Sequence, residues 1–210
     1  MKDELVSRIS KIVLISVMII LVLIVTFNQN PIDELPIMYE TSDFTLPSTT
    51  GNSYSFSQDA GKVRIVTFTY TKCTVECPQL MDKLDQLNRE LKRKSYYEKI
   101  TFITIDFDYI QDTMNDLSEF QQSLTLDNDN WVFLLGNENQ TKQVVQDWNY
   151  TFLIDPEHND TSIPDGIQYI HEKIVYIVDG DGGLRKLYNN IDWEVNEAKD
   201  IVDFLIHETK

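Results

Sequence analysis

The chain has 210 residues, with 18 Lys and Arg against 34 Asp and Glu, a net charge of −16. An acidic balance of that size repels nucleic acid and anionic lipid head groups, so neither is an expected partner. Only two cysteines are present, which excludes a disulfide-stapled scaffold.

Lys2, Arg8 and Lys11 precede an apolar run of 16 residues, Ile12 to Phe27. That is slightly short of the roughly 17–25 residues that span a bilayer, and the uncharged Asn28-Gln29-Asn30-Pro31-Ile32 extends it. No A-x-A cleavage site and no lipid-accepting cysteine follow, so residues 1–27 are expected to form a cytoplasmic tip and a retained signal-anchor helix. No Lys or Arg then occurs until Lys62, while Asp33, Glu34, Glu40 and Asp43 come first. Positive residues favour the cytoplasmic side, which places the main domain on the outer face of a single-pass cell-membrane protein. That side is oxidising and permits disulfides. Residues 28–42, with Pro31, Pro36 and acidic charge, read as a linker. Residues 28–210 carry 15 basic and 32 acidic side chains, a net of −17.

Residues 43–210 suit one domain. Asp43 to Phe56 reads as a hairpin around Thr50-Gly51-Asn52, and Val63 to Tyr70 as a strand. Leu80, Leu84, Leu87 and Leu91 form a helical stripe, with Pro78 in the first turn, where its missing N–H costs nothing. Ile100–Ile105 reads as a strand, Thr113–Leu124 as a helix, Trp131–Leu135 as a strand and Asn137–Trp148 as a helix. Lys173–Val178 and Leu184–Tyr188 flank Asp179-Gly180-Asp181-Gly182-Gly183, a hairpin signal. Asn190 in place of a twelfth-position Glu, with strands on both sides, argues against a calcium loop there. A last helix is expected from Trp193 to His207. The order points to an α/β, thioredoxin-like fold with an added N-terminal β-hairpin.

Both cysteines fall in Thr71-Lys72-Cys73-Thr74-Val75-Glu76-Cys77-Pro78, at the turn from the predicted Val63–Tyr70 strand to the first helix of the domain. Orphan N–H groups and the helix dipole favour a thiolate at such a place, Lys72 adds to this and Glu76 opposes it. The spacing permits a disulfide and equally lets two sulfurs converge on one soft metal ion, Cu(I) or Zn. Of the three histidines, His207 lies near the carboxy terminus and His158 in a polar loop. His171 immediately precedes the Lys173–Val178 strand, and in a thioredoxin-like layout that position faces the cysteine turn. It is the natural third ligand.

Phe68-Thr69-Tyr70-Thr71-Lys72-Cys73-Thr74-Val75-Glu76-Cys77-Pro78 resembles the signature of the SCO/SenC proteins, which are membrane-anchored, thioredoxin-fold copper proteins of cytochrome c oxidase assembly. Ile103-Thr104-Ile105-Asp106 with Gln111-Asp112-Thr113, Trp131 through Gly136, and Tyr169-Ile170-His171 before an apolar strand are similar to further stretches of that family. The resemblance implies a copper ion, Cu(I) or Cu(II), bound by Cys73, Cys77 and His171. It implies Asp106 behind the site, and a partner in cytochrome c oxidase subunit II or a similar copper protein. Phe107 stands where the family commonly has proline. No proline stands at His171-Glu172, where thioredoxins carry a cis-Pro, which argues against ordinary thioredoxin chemistry.

Two functions follow as expectations. One is a copper metallochaperone for the binuclear centre of subunit II. The other is a tethered thiol–disulfide oxidoreductase, with Cys73 and Cys77 as the catalytic pair that reduces the target's cysteines. The sequons at Asn139, Asn149 and Asn159 are assigned no function.

Overall fold

The computed structural model describes residues 2–27, 34–73, 76–124, 130–156 and 167–208. Residues 28–33 of the expected linker, Thr74, Val75 and residues 157–166, with His158 and Asn159, lie outside the described residues. The chain divides into two compact units, Met1–Glu34 and Leu35–Lys210.

The first unit contains helix α1, Lys2–Phe27. Its described apolar side chains from Ile12 to Val22 are exposed. Among the described residues, no helix is long and apolar enough to cross a membrane.

The second unit is built on a six-stranded sheet, in the order β1-β10-β9-β4-β5-β6. In chain order these are β1 (Tyr39–Glu40), β4 (Val63–Thr69), β5 (Ile100–Asp106), β6 (Trp131–Leu135), β9 (Val175–Val178) and β10 (Gly183–Tyr188). The centre is parallel, β4 with β5 and β5 with β6, while β9 runs antiparallel to β4. Every residue of β4 and β5 is buried, as expected of strands covered on both faces. Helix α2 (Glu76–Lys92) buries its Leu80, Leu84, Leu87 and Leu91 stripe and packs against α5 (Val195–Glu208). Helix α3 (Met114–Ser123) starts from a capping box: Thr113 accepts from the Asp116 amide, and Asp116 accepts from the Thr113 amide. Asn137 and Gln140 cap α4 (Glu138–Asp147) in the same way. The hairpin β2 (Thr45–Pro47) with β3 (Ser53–Ser55) turns at Gly51, whose φ of +85° favours glycine.

Two features depart from the sequence reading. Residues 35–42, expected to belong to the linker, join the folded unit: Tyr39 pairs with Leu184, and the Leu35 carbonyl accepts from the Arg185 guanidinium. A two-residue strand held by one partner carries too little pattern to be read from sequence. The second is a two-stranded ribbon, β7 (Phe152–Ile154) with β8 (Tyr169–His171). Residues 155–168 separate its two strands in sequence, so no hairpin signal marks it, and it makes His171 a strand residue. The Asp179 turn is the hairpin turn read from the sequence, and its carboxylate is engaged by the protein itself. It accepts from the amides of Asp181, Gly182 and Gly183 and pairs with Arg185 at 2.9 Å, so the turn and its neighbour use it fully.

Candidate metal centre

Strand β4 ends at Thr69, and the chain turns through Tyr70, Thr71 and Lys72 before α2 begins at Glu76. Cys73 sits in the turn and Cys77 is the second residue of the helix. Their Cα atoms are 5.7 Å apart and their sulfurs form a disulfide. The Cys77 amide, one of the helix's orphan donors, points at the Cys73 sulfur at 3.1 Å. That arrangement favours negative charge on Cys73 once the bond is reduced.

His171 closes the site from β8. Its Nε2 lies 3.9 Å from the Cys73 sulfur and 3.7 Å from the Cys77 sulfur. Cys73, Cys77 and His171 are all buried, and their three donor atoms lie within 4.8 Å of one another. His207 is remote: it sits near the end of α5, its Nδ1 close to the Asp203 carbonyl.

The histidine is aimed by its other nitrogen. The Tyr150 hydroxyl donates to the Glu172 carbonyl and lies 3.0 Å from His171 Nδ1. Nδ1 also lies 3.2 Å from the Glu172 carbonyl, which can only accept, so Nδ1–H is shared between that carbonyl and the Tyr150 oxygen. This assigns the hydrogen to Nδ1 and leaves the Nε2 lone pair facing the sulfurs. Burial pushes the Tyr150 phenol well up, so it stays a donor. Burial, and next the Lys173 charge, lower the His171 pKa to about 4. At neutral pH the imidazole is therefore an unprotonated ligand. Tyr150 follows the end of α4, where Asp147 is the last helical residue, Trp148 caps the helix and Asn149 takes a left-handed φ of +52°.

Aromatic rings enclose the imidazole. Tyr70 and Phe107 each lie 5.4 Å from it, centroid to centroid, and Phe107 stacks on Phe152 at 4.5 Å. Phe107 is fully buried and fills the space beside the ligand. Two flanking charges also behave differently from expectation. Glu76 pairs with Lys173, so its charge is partly offset beside Cys77. Lys72 reaches Gln111 Oε1 at 3.4 Å rather than a sulfur.

Asp106 ends β5 with no accessible surface. It makes no hydrogen bond to Cys73, Cys77 or His171 among the described residues. Its Oδ1 accepts from the Asp108 amide, and Oδ2 finds no donor. Its side-chain neighbour is the Asp112 carboxyl. Burial, and next the Asp112 charge, push Asp106 well above the usual carboxylate range. One proton between two buried carboxyls, held on Asp106, satisfies both. Asp112 in turn accepts from the Thr71 amide at 2.7 Å and the Thr71 hydroxyl at 2.6 Å. Asp106 thus reaches the cysteine turn through Asp112. Sequence reasoning missed Tyr150, Asp112, Asp108 and Tyr169 as neighbours of the site, because only the folded chain brings them there.

The SCO1/SenC family model matches residues 36–205. The chain belongs to the SCO1/SenC family. It is 27% identical over 158 residues to the SCO1 protein homolog of Bacillus subtilis, covering 75% of this chain and 77% of that one. Among solved structures, Arabidopsis thaliana ScoI with copper bound superposes with a TM-score of 0.67 at 19% identity, over 81% of this chain and 99% of that one. Yeast Sco1 gives 0.68 at 18% identity, over 80% and 98%. BsSco is a member of the Sco family of cytochrome c oxidase assembly proteins in which a disulfide switch has been identified. It gives 0.66 at 24%, over 82% and 96%. The family match and these likenesses establish a Sco-type, thioredoxin-like α/β fold for the second unit.

Proposed function

We propose that this protein is a copper metallochaperone that loads the binuclear copper centre of cytochrome c oxidase subunit II or a similar copper protein. The observation that carries the reading is the convergence of Cys73, Cys77 and the unprotonated Nε2 of His171 on one buried point. Two soft sulfurs and an imidazole are a donor set suited to copper. Family membership supports the same cargo, since Sco relatives have been solved with copper bound. Three protein donors leave coordination open for an incoming ligand of the acceptor, which transfer by ligand exchange requires.

The disulfide sets the order of events. Two electrons and two protons convert the Cys73–Cys77 bond to two thiols, and copper then displaces the thiol protons. Loading is thereby gated by a reductant. The same chemistry supports a second reading, a thiol–disulfide oxidoreductase, favoured by the disulfide at a helix start with an amide on one sulfur. The reduced pair would attack a disulfide of the target, form a mixed disulfide and release two target thiols as Cys73–Cys77 closes again. Reducing the target's cysteines and metallating them are successive needs, so one protein can serve both.

For localisation, the apolar run Ile12–Phe27 in α1 and the three leading positive charges support a single-pass anchor with the amino terminus cytoplasmic and the Leu35–Lys210 unit outside. The test is a copper titration of the reduced full chain, followed by absorption. The reading expects a one-to-one complex whose thiolate-to-Cu(II) band is absent in Cys73→Ser and shifted in His171→Ala. Thiols that only reoxidise, with no copper bound, would leave the oxidoreductase.

A further inference from the structure

The loop from Phe107 to Thr113 touches both halves of the centre. Its carboxylates are placed with a matching offset. Asp112 holds Thr71, two residues before Cys73, through both the Thr71 amide and the Thr71 hydroxyl. Asp108 accepts from the Tyr169 hydroxyl at 2.7 Å, and Tyr169 is two residues before His171. Between these two anchors the Gln111 side chain acts as a strand edge. Its Nε2 donates to the Ile167 carbonyl at 3.0 Å, and its Oε1 accepts from the Ile167 amide at 2.7 Å.

The loop is itself braced, so its carboxylates are fixed points. Asp108 Oδ1 also accepts from the amides of Ile110 and Gln111, and its Oδ2 from Gln111 Nε2. The Asp112 amide donates to the Asp108 carbonyl at 3.0 Å. Asp108 and Asp112 are both buried, so water does not compete for these bonds. The cysteine turn follows β4, whereas β8 pairs with β7 outside the main sheet among the described residues and reaches β4 through β9, which begins after three intervening residues. The Tyr70 hydroxyl also donates to Gln168 Oε1 at 3.0 Å between the two sides. The loop 107–113 adds a braced bridge that helps to set the sulfur-to-nitrogen separation, and ligand-orienting contacts of this kind govern metal affinity.

We propose that the loop 107–113 is a two-armed positioning clamp for the centre: Asp112 holds the cysteine turn through Thr71, and Asp108 holds the histidine strand through Tyr169. The proposal rests on the Cys73, Cys77 and His171 copper reading. Its first consequence is that each arm can be altered separately by removing one hydroxyl. Thr71→Val leaves the cysteine arm only its amide bond to Asp112, and Tyr169→Phe cuts the histidine arm, with little change of shape.

The test compares the full chain with these two variants in three readouts. They are the disulfide midpoint potential without metal, the His171 ring-nitrogen NMR signals without metal, and the copper dissociation constant with its Cu(II) paramagnetic resonance spectrum. Thr71→Val is expected to lower the disulfide-to-dithiol equilibrium constant about tenfold, about 30 mV for a two-electron couple, and to weaken copper about tenfold. Tyr169→Phe is expected to leave the potential unchanged, shift the ring-nitrogen signals and the Cu(II) spectrum, and weaken copper about tenfold. The clamp is overturned if both variants match the parent in all three readouts, or if they lose only thermal stability while the readouts stay put. It is also overturned if both variants move the potential equally. If the parent chain itself binds no copper, the copper reading fails, and the potential and ring-nitrogen signals still decide the two arms.

Discussion

The two sides of the metal centre are built in opposite ways. The cysteine side is local: one fully buried strand, one turn and one helix start deliver both sulfurs within five residues of sequence. The histidine side is assembled from separate parts. β8 carries the ligand, the chain after α4 supplies Tyr150, and the turn after β5 supplies Phe107 and Asp108. The chemistry differs accordingly. The cysteine side carries a disulfide, a bond that a reductant can open, and the histidine side holds its imidazole by hydrogen bonds at Nδ1. The comparison teaches that a short motif can specify which atoms bind, while their aim is set by tertiary contacts that the motif does not contain.

Variants can break this contrast in order of expected effect. Removing a sulfur should be most severe: Cys73→Ser is expected to abolish the thiolate-to-copper band and to lower copper affinity by well over the ~100-fold at the upper end for supporting contacts. Isothermal titration with a competing chelator would read it. His171→Ala should come next, with copper retained on the two sulfurs but weakened at least ~100-fold and with an altered spectrum, because a ligand is lost rather than misaimed. Tyr150→Phe removes only the hydroxyl that accepts from Nδ1–H. It is expected to cost ~10-fold in copper affinity while leaving the disulfide potential unchanged. Equal effects of Tyr150→Phe on both sides would erase the distinction drawn above.

Two further outcomes concern stability. Phe107→Ala deletes a fully buried ring packed on Tyr150, Phe152 and Tyr169 and is expected to destabilise the chain by ~3–5 kcal/mol, read by urea unfolding. The pH effect is smaller. The folded His171 pKa of about 4 lies below its ordinary value of 6.5, so the unfolded chain binds more protons between those limits. The contribution of neutral His171 is therefore complete above pH 6.5, is lost progressively as pH falls toward 4, and loses nothing more below that. Unfolding of the metal-free chain at pH 7 and pH 5 should show a smaller loss in His171→Asn than in the parent.

Much of the architecture was legible because its signals are local. The Leu80-Leu84-Leu87-Leu91 stripe, the buried runs at Val63 and Ile100, the Asp179–Gly183 turn and the cysteine motif each sit within one element. His171 was reached by placing it before an apolar strand opposite the cysteines. The rest depends on distant partners. β1 exists only because β10 offers its edge, and β7 and β8 pair although residues 155–168 separate them in sequence. Tyr150 gains its role from a left-handed Asn149 that no pattern marks. Asp106 was placed at a strand end, but its link to the site runs through Asp112 and Thr71, which only the fold reveals.

The most direct test of the central claim is X-ray absorption at the copper edge of the reduced, copper-loaded full chain. The account predicts a shell of two sulfurs and one imidazole nitrogen, with the nitrogen lost in His171→Ala. A shell without sulfur, or one unchanged in His171→Ala, would contradict it.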